Sequence, residues 1–210
     1  MTVTFIGDVH GKFGQYKTLL KKYPNTIQVG DMGVGFLNWP HGDPQQNPPH
    51  DLMVETNAFF IRGNHDNPHV CKRHSRYLPD GYGTSTKQGN MMMFIGGGYS
   101  IDRHYRREGF TWWPEEELSY DEACRIADVY HVMKPTVMVT HECPSVHTDL
   151  LYASHHRFDS SRTEKFLQTL WEAHKPQLWI HGHHHLSVEH NIQGTKFVCL
   201  AELEAREFNI

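Results

Sequence analysis

The sequence of 210 residues has only four cysteines, Cys71, Cys124, Cys143 and Cys199, and none forms a Cys-x-x-Cys pair. A disulfide scaffold is therefore not expected, and the usage suits a reduced, cytoplasmic compartment. No apolar run approaches the ~20 residues that span a bilayer. The apolar start is cut short by Asp8 and lacks the basic flank and long core of a secretory signal, so neither a targeting segment nor a membrane partner is expected. Basic excess is also missing. The formal net charge of -4 with histidine neutral gives no global attraction to nucleic acid, and an anionic substrate would depend on a local field. Gly96-Gly97-Gly98 lacks the Lys-Ser/Thr of a phosphate-binding loop and the spacing of a dinucleotide fingerprint, and reads as backbone bending closely past a site. There is no internal repeat, linker or low-complexity segment. The length fits a single domain over residues 1–210, large enough to bury roughly 70% of its unfolded surface.

What the chain has in quantity is histidine, 18 in all, and its placement is patterned. Val3-Thr-Phe-Ile-Gly7 runs into Asp8 and His10. Thr26-Ile-Gln-Val is followed by Gly30-Asp31, and Ala58-Phe-Phe-Ile by Arg62-Gly63-Asn64-His65-Asp66. Thr136-Val-Met-Val leads to Thr140-His141, and Gln177-Leu-Trp-Ile to His181-Gly182-His183-His184-His185. Five short buried strands thus end in residues of ligand type. In open α/β sheets functional groups gather outside the carboxyl ends of the strands, so these five ends can face one site.

Taken in order and spacing, Asp8-x-His10, Gly30-Asp31, Gly63-Asn64-His65-Asp66, His141 and Gly182-His183-x-His185 resemble the calcineurin-like metallophosphoesterase superfamily. The resemblance implies two facing mixed sheets flanked by helices, an αββα sandwich, where pattern alone gives only α/β. It also implies that Asp8, His10, Asp31 and His185 hold one divalent ion and that Asp31, Asn64, His141 and His183 hold another, with Asp31 bridging. The donor set agrees, because two carboxylates, one amide and four imidazoles exceed the three or four protein ligands of a single catalytic zinc. Manganese, iron and zinc all suit mixed oxygen and nitrogen donors. In an extended segment His183 and His185 would point to one side, ~7 Å apart along the strand, with His184 pointing away.

By the same resemblance a metal-bridging hydroxide attacks phosphorus in line with the leaving oxygen. His65 corresponds to the general acid, which would protonate the leaving group or bind the phosphoryl oxygen, with Asp66 fixing its tautomer. Two divalent ions against two carboxylates would leave the site positive, which is how an acidic protein could bind a phosphate ester. The expected partner is a phosphorylated small molecule or nucleotide, with nucleic acid entering only as substrate. Two departures count against a phosphoprotein substrate: Gly30-Asp31 leads into Met32-Gly33 rather than Asp-Arg, and Asp66 stands where glutamate is usual. Two alternatives are a catalytically weak or inactive metal-binding scaffold of the same fold, and a zinc hydrolase acting on amides. The second would leave the Gly-Asn-His-Asp block unexplained.

Around these motifs, Phe13, Tyr16, Leu19, Leu20 and Tyr23 fall at helical spacing before Pro24. Ser119-x-x-Glu122 and Ser161-x-x-Glu164 open two covering helices. Met91–Ile95 is expected to pair with residues near Thr84–Lys87, and Ser187–Ile192 with Thr195–Leu200. Met32–Asp51, rich in glycine and proline, reads as a long surface loop, with Phe36 and Trp39 either packing it down or lining the rim of the site. The segment Ile101–Pro114 carries Arg103, Arg106, Arg107, Trp112 and Trp113. It is a candidate substrate gate, since guanidinium pairs with phosphate and indole stacks on rings. Its structural alternative has the tryptophans anchoring the loop and the arginines pairing with Glu115–Glu117.

Overall fold

A computed structural model describes residues 2–36, 47–152 and 161–210. Trp39 lies outside the described residues. The elements in chain order are β1 (Thr2–Ile6), α1 (Phe13–Lys22), β2 (Thr26–Gln28), α2 (His50–Glu55), β3 (Phe59–Phe60), α3 (Pro68–Cys71), β4 (Gly83–Ser85) and β5 (Met91–Ile95). There follow α4 (Tyr120–Met133), β6 (Val137–Thr140), α5 (Ser145–Leu151), α6 (Arg162–Ala173), β7 (Leu178–His181), β8 (Val188–Ile192), β9 (Thr195–Cys199) and β10 (Ala205–Asn209).

Two mixed sheets form, one of four strands in the order β10-β1-β2-β3 and one of six in the order β4-β5-β6-β7-β9-β8. Alternation along each strand decides what faces what. Val3 and Phe5 of β1 meet Met92 and Phe94 of β5, Val139 of β6, Ile180 of β7 and Val198 of β9 in a core between the sheets. The opposite residues face helices. Met93, Ile95, Met138, Trp179 and Phe197 pack with Ile126 and Tyr130 of α4 and Leu167, Leu170 and Trp171 of α6. Ile6 and Phe60 pack with Tyr16 and Leu20 of α1, Met53 of α2 and Cys71 of α3. This is the αββα layering that the resemblance implies.

The local chemistry agrees with the sequence in most places. The Ser119 side chain and Glu122 form a reciprocal capping box at α4, and Ser161 caps α6 by accepting from the Glu164 amide. The β4–β5 and β8–β9 hairpins form as expected. Three elements differ. α2 takes up the end of the expected Met32–Asp51 loop. α5 follows Pro144, which stands at its N-cap with extended backbone. β10 pairs antiparallel with β1, Thr2 opposite Asn209. The start of the supposed surface loop is also core, since Met32 and Val34 are fully buried. The parallel strands β1, β2 and β3 and β6 and β7 send their carboxyl ends, and hence all five motifs, to one end of the sandwich.

Candidate metal centre

The ligand-type residues sit in the turns that leave those strands, and the turns are tight. His10, Asp31, His183 and His185 all adopt left-handed backbone, with φ of 48°, 56°, 66° and 54°. Such conformations are uncommon for residues with a Cβ and persist where surrounding structure holds them. They correct the expected extended segment at His183-x-His185, where the chain turns at each of these histidines. Glycine makes the approach possible: a Cβ on Gly63 would strike Asp31 Oδ1, and one on Gly182 would strike Asp8 Oδ1.

Two groups of donor atoms converge. In the first, His10 Nε2 lies 2.9 Å from His185 Nε2, and Asp8 Oδ2 lies 3.0 Å from His185 Nε2 and 3.7 Å from His10 Nε2. Asp8 Oδ1 accepts the His183 amide, whereas buried Oδ2 accepts no hydrogen bond among the described residues. Asp8, His10, Asp31 and His185 together could hold a metal ion. In the second group, His141 Nδ1 donates to the Val29 carbonyl at 2.9 Å, which leaves Nε2 as a bare lone pair in the neutral ring. That lone pair faces Asn64 Oδ1 at 3.0 Å and Asp31 Oδ1 at 3.3 Å. The Asn64 amide cannot flip to help, because Nδ2 donates to Ser100 Oγ, which in turn donates to Glu116. Three lone-pair atoms so close, with no proton among them, fit a cation. The His183 ring stands 4.9 Å from that of His141.

Asp31 belongs to both groups: Oδ1 faces His141, and Oδ2 lies 3.9 Å from His10 Nε2. Burial alone would raise its pKa, but His141, His65 and His10 outweigh burial and hold the carboxyl well below the usual range. Burial lowers the pKa of His141, against the opposing pull of Asp31 and Asp8.

His65 stacks on Phe36, with ring centroids 4.9 Å apart, and its amide donates to Asp31 Oδ1. Its Nε2 meets Arg106 Nη2 at 2.6 Å. Burial, then Arg106, lowers its pKa to about 4 against the pull of Asp31. The expected role of Asp66 as the group fixing the His65 tautomer is not borne out by the contacts. Asp66 instead accepts the amides of Gly33, Val34, Met32 and Gly63 at 2.7–3.2 Å, clasping the turn after β2 to the turn after β3. Burial and the nearby Asp31 charge push its carboxyl up to about 6.

Of the three arginines, only Arg106 reaches this group, also pairing with Asp102 at 2.7 Å. Arg103 covers Tyr99 and Arg107 covers Phe110, so the structure does not bring these two to the metal ligands. Trp113 is buried beside Phe36, which makes Phe36 part of the rim. Gly98 runs against His141 and His183, where a Cβ would come within 3.4 Å of each ring.

The sequence reading missed Glu142. It is buried, with Oε2 3.3 Å from His183 Nε2 and Oε1 3.1 Å from His184 Nε2. A carboxylate on the far nitrogen of a ligating histidine is the usual way such rings are oriented. Its signal was adjacency to His141, which is weak by itself.

Comparison with known proteins bears on this arrangement. The chain matches the calcineurin-like phosphoesterase family over residues 1–187. No curated protein matches it in sequence. Among solved structures it is similar to TT1561 of Thermus thermophilus, with 12% identity and a TM-score of 0.55 over 99% of this chain and 98% of that one. It is also similar to GAP50, the anchor in the inner membrane complex of Plasmodium, with 12% identity and a TM-score of 0.53 over 95% of this chain and 71% of that one. At this identity the likenesses concern the fold alone. No described helix is long and apolar enough to cross a membrane.

Proposed function

The chain belongs to the calcineurin-like phosphoesterase family, and on that premise we propose that it is a metal-dependent phosphoric ester hydrolase with a dinuclear centre, residues 1–210 acting as one catalytic unit. Asp8, His10, Asp31 and His185 would hold one ion, and Asp31, Asn64, His141 and His183 the other. The observation that carries this reading is the division of Asp31, whose two carboxylate oxygens face two different sets of histidines. When bound, the ions supply a water of lowered pKa and positive charge for the phosphoryl oxygens.

The chain's own residues then bind, orient and protonate. Arg106 offers paired guanidinium donors to a phosphate oxygen. As Arg106 turns to the substrate it releases His65 Nε2, which can take up a proton next to the phosphoryl group and give it to the leaving oxygen. Phe36 holds the His65 ring by stacking, and the Asp66 clasp holds Asp31 and His65 in register. Arg103 and Arg107 would contact only the outer parts of a larger substrate.

Small phosphomonoesters, nucleotides and phosphodiesters fit this site better than a phosphoprotein. Both departures from the phosphoprotein phosphatase pattern lie in one feature, since Asp66 accepts the Met32 and Gly33 amides. The turn after β2 is thereby committed to internal bonding. The scaffold alternative, with manganese, iron or zinc bound but idle, is disfavoured by the convergence of all seven ligand-type residues with His65. The test is turnover of aryl phosphomonoesters and diesters by protein loaded with manganese, iron or zinc. Metal-dependent turnover that disappears in Asp31→Asn is expected, and none from fully loaded protein would exclude the proposal.

A further inference from the structure

Behind the candidate metal centre, on the side of the six-stranded sheet facing α5, lies a second cluster that the phosphoesterase reading does not use. Cys143, His147 and His181 are all fully buried, and their ligand atoms lie within 4.8 Å of one another. His147 comes from α5, Cys143 from the turn after β6, and His181 from the end of β7, so three separate elements bring these side chains together.

The hydrogen bonding on the outer side of each ring is that of metal ligands. His181 Nδ1 faces the Gly182 carbonyl at 3.1 Å, an acceptor only, so this nitrogen carries the proton and Nε2 is left as a lone pair. That lone pair points at His147 Nδ1, 2.9 Å away. The other nitrogen of His147, Nε2, has an imidazole partner at 3.0 Å, His190 Nδ1. Each ring thus has an outer partner for one nitrogen while the inner nitrogens converge, as they do where such partners fix the orientation of ligating histidines. The Cys143 sulfur lies beside Thr148 Oγ1 at 3.2 Å and His184 Nε2 at 3.4 Å.

We propose that Cys143, His147 and His181 form a third, mononuclear metal site of zinc class, with His184, whose Nε2 also lies 3.1 Å from Glu142 Oε1, a candidate fourth ligand among the described residues. A thiolate with imidazoles is a zinc donor set, and tetrahedral bonds of ~2.0–2.3 Å place neighbouring donor atoms about 3.3–3.8 Å apart, within the span of this cluster. On binding, the Cys143 thiol loses its proton to solvent as the sulfur–metal bond forms, and the His147 proton sits on Nε2, directed at His190 Nδ1, so that Nδ1 is free to bind. The site would anchor α5 to the turns carrying His141 and His183, making it a structural brace for the catalytic loops. It is independent of the phosphoesterase reading, because none of the seven ligands assigned to the dinuclear centre offers sulfur.

Sulfur also supplies the test. The full chain in a Cys124→Ser background, which removes the exposed thiol, is saturated with cobalt(II) and its near-ultraviolet absorption recorded. A thiolate-to-cobalt charge-transfer band is expected, absent in Cys143→Ser and retained in Cys199→Ser and Cys71→Ser. X-ray absorption of the zinc-loaded chain, which needs no Cys143 variant to fold, should show a sulfur scatterer. A saturated chain without the band and without sulfur at its metal would overturn the proposal, as would a band that survives Cys143→Ser. Failure of the dinuclear centre alone would leave the sulfur signals intact.

Discussion

Arg106 Nη2 stands 2.6 Å from His65 Nε2. Guanidinium is a donor in every protonation state found in proteins, so His65 Nε2 accepts, and the neutral ring carries its proton on Nδ1. The pair is a substrate-free arrangement in which an arginine occupies the nitrogen that a leaving group would need.

This contact gives a pH prediction with a definite sign. Burial is the larger reason that the His65 pKa falls to about 4, and the Arg106 charge adds to it. Removing a like charge favours the protonated ring, so Arg106→Ala is expected to move the His65 pKa upward while burial keeps it below the usual histidine value. An NMR titration of the His65 ring checks this, and an unmoved or lowered pKa contradicts it. The same variant should lower kcat/KM, whereas Arg103→Ala and Arg107→Ala, whose ring contacts lie away from the metal ligands, should leave kinetics on small substrates unchanged.

His65→Ala should keep its metals and its fold and lose roughly 10²- to 10⁴-fold in turnover, the usual range for a general acid. The deficit should shrink for substrates with good leaving groups. Loss of metal from this variant, or full activity on a poor leaving group, would remove His65 from the proton-transfer role.

Asp66→Ala should act on stability. It strips the acceptor from four buried amides, and leaving buried donors unpaired costs about 1–3 kcal/mol each before relaxation and water entry. Urea denaturation should show a marked fall in midpoint. A variant as stable as the parent would mean that the clasp is not needed.

Glu142→Gln should weaken metal binding by about 10- to 100-fold, the usual cost of losing the group that orients a ligating ring. Competition with a chelator of known affinity measures it. Unchanged affinity would show that the His183 ring is held by other means.

Much of this was legible because strand ends are local signals. β1, β2, β3, β6 and β7 each lie in a short apolar run, and the five ligand turns follow directly from the runs. The β10 strand was not visible, since Ala205–Asn209 has no apolar run, Arg206 and Glu207 separating Ala205 from Phe208, and its partner β1 is at the other end of the chain. The turn geometry at His183 and His185 was also hidden: nothing in a histidine announces a positive φ, which is imposed by the surrounding packing. Asp66 was misread because the resemblance tied it to His65, and nothing in the sequence shows which way its side chain turns. In the fold the two neighbours point to different tasks, one to the site and one to backbone amides of another loop. Arg106 could not be told from Arg103 and Arg107 by composition, since only the path of the loop decides which guanidinium reaches His65.

The claim on which the account depends is that Asp31 joins two ions, and electron paramagnetic resonance of the manganese-loaded chain addresses it directly. Ions about 3.5–4 Å apart with a shared carboxylate should give the spectrum of an exchange-coupled pair, and Asp31→Asn should abolish the coupling. A fully loaded wild-type chain showing only isolated manganese would contradict it.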